Sequence, residues 1–126
     1  MAKYTIQYPE AIFDVNLDCW EEKVIQASHQ RPIIADFWAE WCLPCQAIAP
    51  NLYQAIDYYK GTVGLAKVEM DEGENMKLAG KFAVRGFPSI LLFQYGELKS
   101  RFCGAATYRH IVNFVKDNTD LENADL

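Results

Sequence analysis

The chain has 126 residues, 51% of them hydrophobic and 13% aromatic, enough to bury one core without disulfide staples, and this composition excludes a disordered chain. A formal net charge of −5 leaves no basic footprint for nucleic acid, and no apolar run approaches the ~20 residues that span a bilayer. Four cysteines, Cys19, Cys42, Cys45 and Cys103, are too few for a disulfide framework in a single domain of residues 1–126, so isolated ones are expected to be buried thiols in a reducing compartment.

Residues 1–16 form an opening segment in which Tyr4-Thr5-Ile6-Gln7-Tyr8 alternates like a short first strand that Pro9 ends. The first five residues lack the apolar stretch of a secretory signal, which points to a cytoplasmic protein. Asp18 is the expected cap of a helix with Glu21 and Glu22 in its first turn, and Trp20, Val24, Ile25 and Ala27 line its buried face. His29 falls at that helix end, where an interaction with the helix dipole accounts for it.

Ile33-Ile34-Ala35 reads as a central strand buried on both faces, interrupted by Asp36. A carboxylate there is costly to bury, so it must be neutral, hydrogen-bonded or functional. Apolar residues at helical spacing (Ile48, Leu52, Ala55, Ile56, Tyr59) predict a helix from Cys42 to about Tyr59, kinked at Pro50 and stopped by Gly61. Val63 to Glu69 reads as a second buried strand carrying one anomalous charge, Lys67. A short helix over residues 74–81, a strand from Ser89 to Gln94, a hairpin turn at Tyr95-Gly96 and its partner strand from Glu97 to Cys103 follow. A helix from Tyr108 to Val115 closes the fold, and the acidic tail 117–126 is expected to fray. The order β-α-β-α-β-α-β-β-α implies an α/β domain with one mixed central sheet and helices on both faces.

Chemistry concentrates in Trp41-Cys42-Leu43-Pro44-Cys45, between the first central strand and its helix. Unpaired backbone N–H groups and the positive end of the helix dipole lower a thiol's pKa at that place, and the thiolate is the nucleophile. Cys45, one turn on, can reach back to a sulfur bonded to Cys42. Pro44 fits a first turn, where its missing N–H breaks no helix bond. A zinc site would need two further ligands, but there is no second CxxC or paired-histidine motif, and Cys19, Cys103, His29 and His110 are scattered singles.

The segment Asp36-Phe37-Trp38-Ala39-Glu40-Trp41-Cys42-Leu43-Pro44-Cys45, followed later by Val84-Arg85-Gly86-Phe87-Pro88-Ser89 and Gly104-Ala105, resembles the active-site regions of the thioredoxin family. The resemblance runs from about Leu17 to Val115 and implies a thioredoxin fold and a protein-disulfide reductase. It implies Cys42 as attacking thiolate, Cys45 as resolving thiol, and Asp36 with Lys67 as the group that takes the proton of Cys45; the alternative for Asp36 and Lys67 is an ion pair that only fixes strand register. It implies a cis bond before Pro88, and an apolar docking surface for disulfide-containing clients made by Trp41, Leu43, Pro44, Gly86, Phe87, Pro88 and Gly104. No bound cofactor or metal is implied, only the Cys42–Cys45 disulfide, with an NADPH-dependent thioredoxin reductase as electron donor and a monomeric state. Leu43 departs from the family, which usually has Gly there, and it bears on reduction potential, donor and clients. The rival reading is a binding module or holdase whose dithiol acts as a switch.

Overall fold

The computed structural model describes residues 5–121, and residues 1–4 and 122–126 lie outside them. Five strands form one mixed sheet in the order β1-β3-β2-β4-β5: β1 (Ile12–Asp14), β2 (Ile33–Trp38), β3 (Gly64–Glu69), β4 (Ser89–Gln94) and β5 (Glu97–Cys103). β1, β3 and β2 run parallel, and β4 and β5 are antiparallel to their neighbours. The central strands are buried on both faces, as the unbroken apolar run in β2 requires.

Helices α1 (Leu43–Tyr58) and α3 (Tyr108–Asn118) cover one face. There Ile34, Leu65, Ile90 and Leu92 pack against Ile48, Leu52, Ile56, Ile111 and Val115. The opposite face is covered by a helical segment over residues 17–29 and by α2 (Met76–Lys81). On that side Trp20 sits among Phe37, Phe82 and Phe93 with ring centroids 5.3–5.9 Å apart, the tilted and edge-on arrangement that aromatic rings prefer. Helix α1 runs through Pro50 as one element, and Thr107 caps α3 by accepting the His110 N–H at 3.1 Å. Tyr95 and Gly96 both have positive φ in the β4–β5 hairpin, the backbone that a two-residue turn of matching twist demands.

Several expectations need correction, among them the burial of the isolated cysteines: Cys19 is half-buried and Cys103, at the end of the edge strand β5, is exposed. The first strand is Ile12–Asp14 rather than 4–8, since residues 5–8 form no strand and Pro9–Ala11 make a turn of 3-10 helix that delivers the chain to the sheet edge. Ile6 and Tyr8 are half-buried, and Tyr8 packs beside the α1 core. Asp18 is no cap: the helical segment begins after Asn16, whose N–H donates to Cys19 Sγ at 3.4 Å, and it winds as 3-10 and wide turns instead of a regular α-helix. The last helix extends to Asn118. Of the tail, Asp120 is anchored, its carboxylate accepting from Gln94 at 2.6 Å and from Tyr95 at 2.7 Å; the expected fraying of residues 122–126 lies outside the described residues.

Candidate active site

Cys42 and Cys45 are joined as a disulfide with Cα atoms 5.3 Å apart. Cys42 is the N-cap of α1: its backbone is extended, its Sγ accepts the Cys45 N–H at 3.2 Å, and Leu43 and Pro44 follow in the first turn. Exposure does not separate the two sulfurs, since Cys42 is 5% and Cys45 4% exposed. Position does. Cys42 stands where backbone N–H groups and the helix dipole favour negative charge, while Cys45 is already inside the helix.

The surroundings are apolar and uneven in height. Ala39, Trp38 and Phe87 pack around the disulfide, while Trp41 and Leu43 stand out on either side of Cys42 at 67% and 73% exposure. Trp41 is oriented rather than loose: its indole N–H donates to Asp71 at 3.1 Å, and its ring meets that of Phe87 edge-on at 5.9 Å. The Phe87–Pro88 bond is cis. Gly104 N–H donates to the Pro88 carbonyl at 2.8 Å from a φ of +101°, a backbone that favours glycine. A Cβ at Gly86 would stand 3.1 Å from Cys103 Sγ, a close approach that the exposed cysteine side chain would have to ease by shifting. Phe87 thus packs on the dithiol and meets Trp41, and the hydrogen bond from Gly104 to Pro88 joins the loop after β5 to the Gly86-Phe87-Pro88 loop. Pro44 is exposed in the first turn of α1.

Behind the disulfide, a recess of about 250 Å³ is lined by Asp36, Trp38, Cys45, Gln46, Ala49 and Lys67. Asp36 is 2% exposed, and among the described residues no hydrogen-bond donor reaches its Oδ1. Burial raises its carboxyl from 3.8 to about 7, against the opposing pull of Lys67. It therefore exchanges a proton near neutral pH. Asp36 and Lys67 are register partners in β2 and β3, but the lysine does not close on the carboxylate as an ion pair; its ammonium donates to the Tyr53 hydroxyl at 2.8 Å.

Tyr53 and Asp71 are the site residues that the sequence reading missed. Tyr53 does carry a signal, the line Cys45, Ala49, Tyr53 at intervals of four on α1. Asp71 carries none, because its contact with Trp41 joins two loops 30 residues apart. Among the described residues no group of three His, Cys, Asp or Glu side chains is arranged to hold a metal. Nor is any helix among the described residues long and apolar enough to cross a membrane.

Comparison with known proteins agrees with this geometry. A family model described as thioredoxin matches residues 11–117. A thioredoxin of Acidithiobacillus ferridurans is 38% identical over 106 residues, covering 84% of this chain and 94% of that protein. A thioredoxin of Pseudomonas aeruginosa is 34% identical over 109 residues, covering 86% and 97%. A probable thioredoxin-2 of Caenorhabditis elegans is 36% identical over 108 residues, covering 85% and 72%.

Proposed function

This chain belongs to the thioredoxin family and is a thioredoxin-like disulfide oxidoreductase, and on that premise we propose how its residues divide the reaction. The observation that carries the proposal is the disulfide closed across the first turn of α1, with a buried carboxyl behind it and an apolar rim in front. In the reduced protein the Cys42 thiolate attacks one sulfur of a client disulfide, and the other client sulfur leaves as a thiolate. Cys45 then gives its proton to the Asp36 carboxylate and attacks the Cys42 sulfur. The second client thiolate departs, and the two electrons now missing from the protein are those gained by the client. Lys67 sets the charge beside Asp36.

Docking is assigned to the rim. Trp41, Leu43, Pro44 and Phe87 offer flat apolar contact, and the cis peptide before Pro88, with Gly86 and Gly104 around it, presents main chain to an extended client segment. Leu43 adds apolar area next to the nucleophile and biases the choice of clients. The redox group is the protein's own disulfide, and family members are reduced by thioredoxin reductase. For this chain we assign an NADPH-dependent enzyme of that kind as donor, a monomeric state, and a reducing, cytoplasmic setting compatible with the free thiols of Cys19 and Cys103.

The test is reduction of insulin disulfides driven by NADPH and thioredoxin reductase, with Cys42→Ser as control. Turnover that disappears in the variant is the expected result. Turnover with dithiothreitol but not with the reductase would reassign the electron donor. Loss of Cys42 dependence with both reductants would overturn the mechanism.

A further inference from the structure

Lys67 has carboxylates on both sides and takes neither as a close partner. Asp36 is its register neighbour on β2 and Asp14 its register neighbour on β1. Glu69 and Glu72, with Asp14 and Asn16, line a second recess of about 360 Å³ on the outer side of the same lysine. Yet among the described residues the ion pairs involve other groups. The ammonium instead donates to Tyr53 at 2.8 Å and lies 4.8 Å from the Trp38 ring centroid and 5.3 Å from that of Tyr53. The Trp38 ring offers it cation–π attraction and the Tyr53 hydroxyl one hydrogen bond, without bringing it to the carboxyl.

We propose that Tyr53 is a positioning residue of the dithiol chemistry: its hydroxyl holds the Lys67 ammonium beside the Trp38 ring and out of an ion pair with Asp36, so that the carboxyl behind Cys45 stays free to exchange a proton. The proposal rests on the reading of Asp36 as acceptor of the Cys45 proton. The physics is local. An ammonium in direct contact lowers a carboxyl's pKa by roughly 1–3 units, and a carboxylate held deprotonated at neutral pH is a weaker base for a thiol. Held at a distance, Lys67 tempers the effect of burial without cancelling it.

The other groups around Asp36 leave Lys67 as the one with freedom to change its charge environment. From α1 come Cys45 and Gln46, from its own strand Trp38, and from β4 the apolar Ile90; Asp14 lies beyond the lysine. Tyr53 acts only through Lys67. A residue of pure packing value would act without it, and that difference is measurable.

The experiment follows the carboxyl ¹³C signal of Asp36 against pH in the oxidised protein, in wild type, Tyr53→Phe, Lys67→Met and the double variant. Phenylalanine keeps the ring and removes the hydrogen bond. The titration midpoint of Tyr53→Phe is expected to fall by roughly 1 unit as Lys67 relaxes toward the carboxyl. In the Lys67→Met background the same substitution is expected to leave the midpoint where it is. The pH profile for single-turnover resolution of a Cys42 mixed disulfide is expected to shift with the titration. An unmoved midpoint in Tyr53→Phe, or an equal shift with and without Lys67, would overturn the positioning role. A titration that moves while the rate profile stays fixed would overturn the acceptor reading of Asp36, and with it any part for Tyr53 in the chemistry.

Discussion

Asn75 and Asp36 are both polar and both buried, at 0% and 2% exposure, and the fold treats them in opposite ways. Asn75 opens α2 beneath one end of the sheet. Its Oδ1 accepts the Leu17 N–H at 2.9 Å, and its Nδ2 donates to Asn16 Oδ1 at 3.0 Å and to the Glu69 carbonyl at 2.8 Å. It ties the end of β3 to the start of the helical segment 17–29, and its hydrogen-bonding capacity is largely used. Asp36 sits in mid-strand on the other face with Oδ1 unpartnered and a recess at its side. A buried polar group with its bonds made holds structure together. One left without them is destabilising in its charged form, and that same discomfort moves its proton equilibrium into the range where thiols react.

The sharpest way to break the contrast is to remove the acid. The folded-state pKa of Asp36, about 7, lies above the unfolded value of 3.8. Between those limits the folded protein binds a proton that the unfolded chain has lost, so this group's contribution falls as pH rises and is fully unfavourable above pH 7. The window corresponds to a penalty on the order of 4 kcal/mol as an upper bound. Asp36→Asn is therefore expected to match wild type in stability near pH 4 and to exceed it by a few kcal/mol at pH 8, while resolution by Cys45 slows. Urea unfolding of the oxidised proteins across that range checks it. A stability difference that does not change with pH would show that Asp36 is not a strained carboxylate.

Asn75→Ala is expected to have the opposite sign. It strands the Leu17 N–H and the Glu69 carbonyl, and a loss of roughly 2–3 kcal/mol follows from leaving such groups unpaired. Because Asn75 belongs to the face opposite Asp36, the titration of Asp36 and the rate of disulfide exchange in the folded protein are expected to stay at wild-type values. A shift in either would mean that the two faces of the sheet are coupled.

The same contrast explains what was legible beforehand. The dithiol, its proline and the Gly86-Phe87-Pro88 turn were readable because their chemistry is written in consecutive residues, and β2 and α1 because apolar periodicity marks them. Asp36 and Lys67 announced themselves as charges inside buried strands. What they do there was not readable: Lys67 bonds to Tyr53, 14 residues away on another element, and nothing local distinguishes that partner from Asp36. The first strand was misplaced because a three-residue edge strand carries almost no pattern, whereas Tyr4 to Tyr8 alternates by chance. The segment 17–29 showed helical spacing, but that spacing cannot tell an α-helix from tighter and wider turns of similar reach. Asp120 looked like tail because its hold depends on Gln94 and Tyr95, which only the folded hairpin brings within reach.

The smallest expected effect on stability is the most informative about clients. Leu43 opens the first turn of α1 with 73% of its surface exposed, and follows Cys42 in the chain as Trp41 precedes it. Leu43→Ala removes no buried contact, so stability is expected to stay within about 0.5 kcal/mol of wild type. Neither Asp36 nor its recess is touched, so the pH profile of exchange is expected to hold its position. If Leu43 is part of the docking rim, its truncation weakens encounter rather than chemistry: KM for a protein disulfide rises while kcat is unchanged, and a small-molecule disulfide, which needs no rim, is reduced as before. Equal loss with both substrates would place the effect of Leu43 on the thiolate itself, through the first turn that Cys42 caps. The rim and the recess would then be one device, joined at the N-terminus of α1.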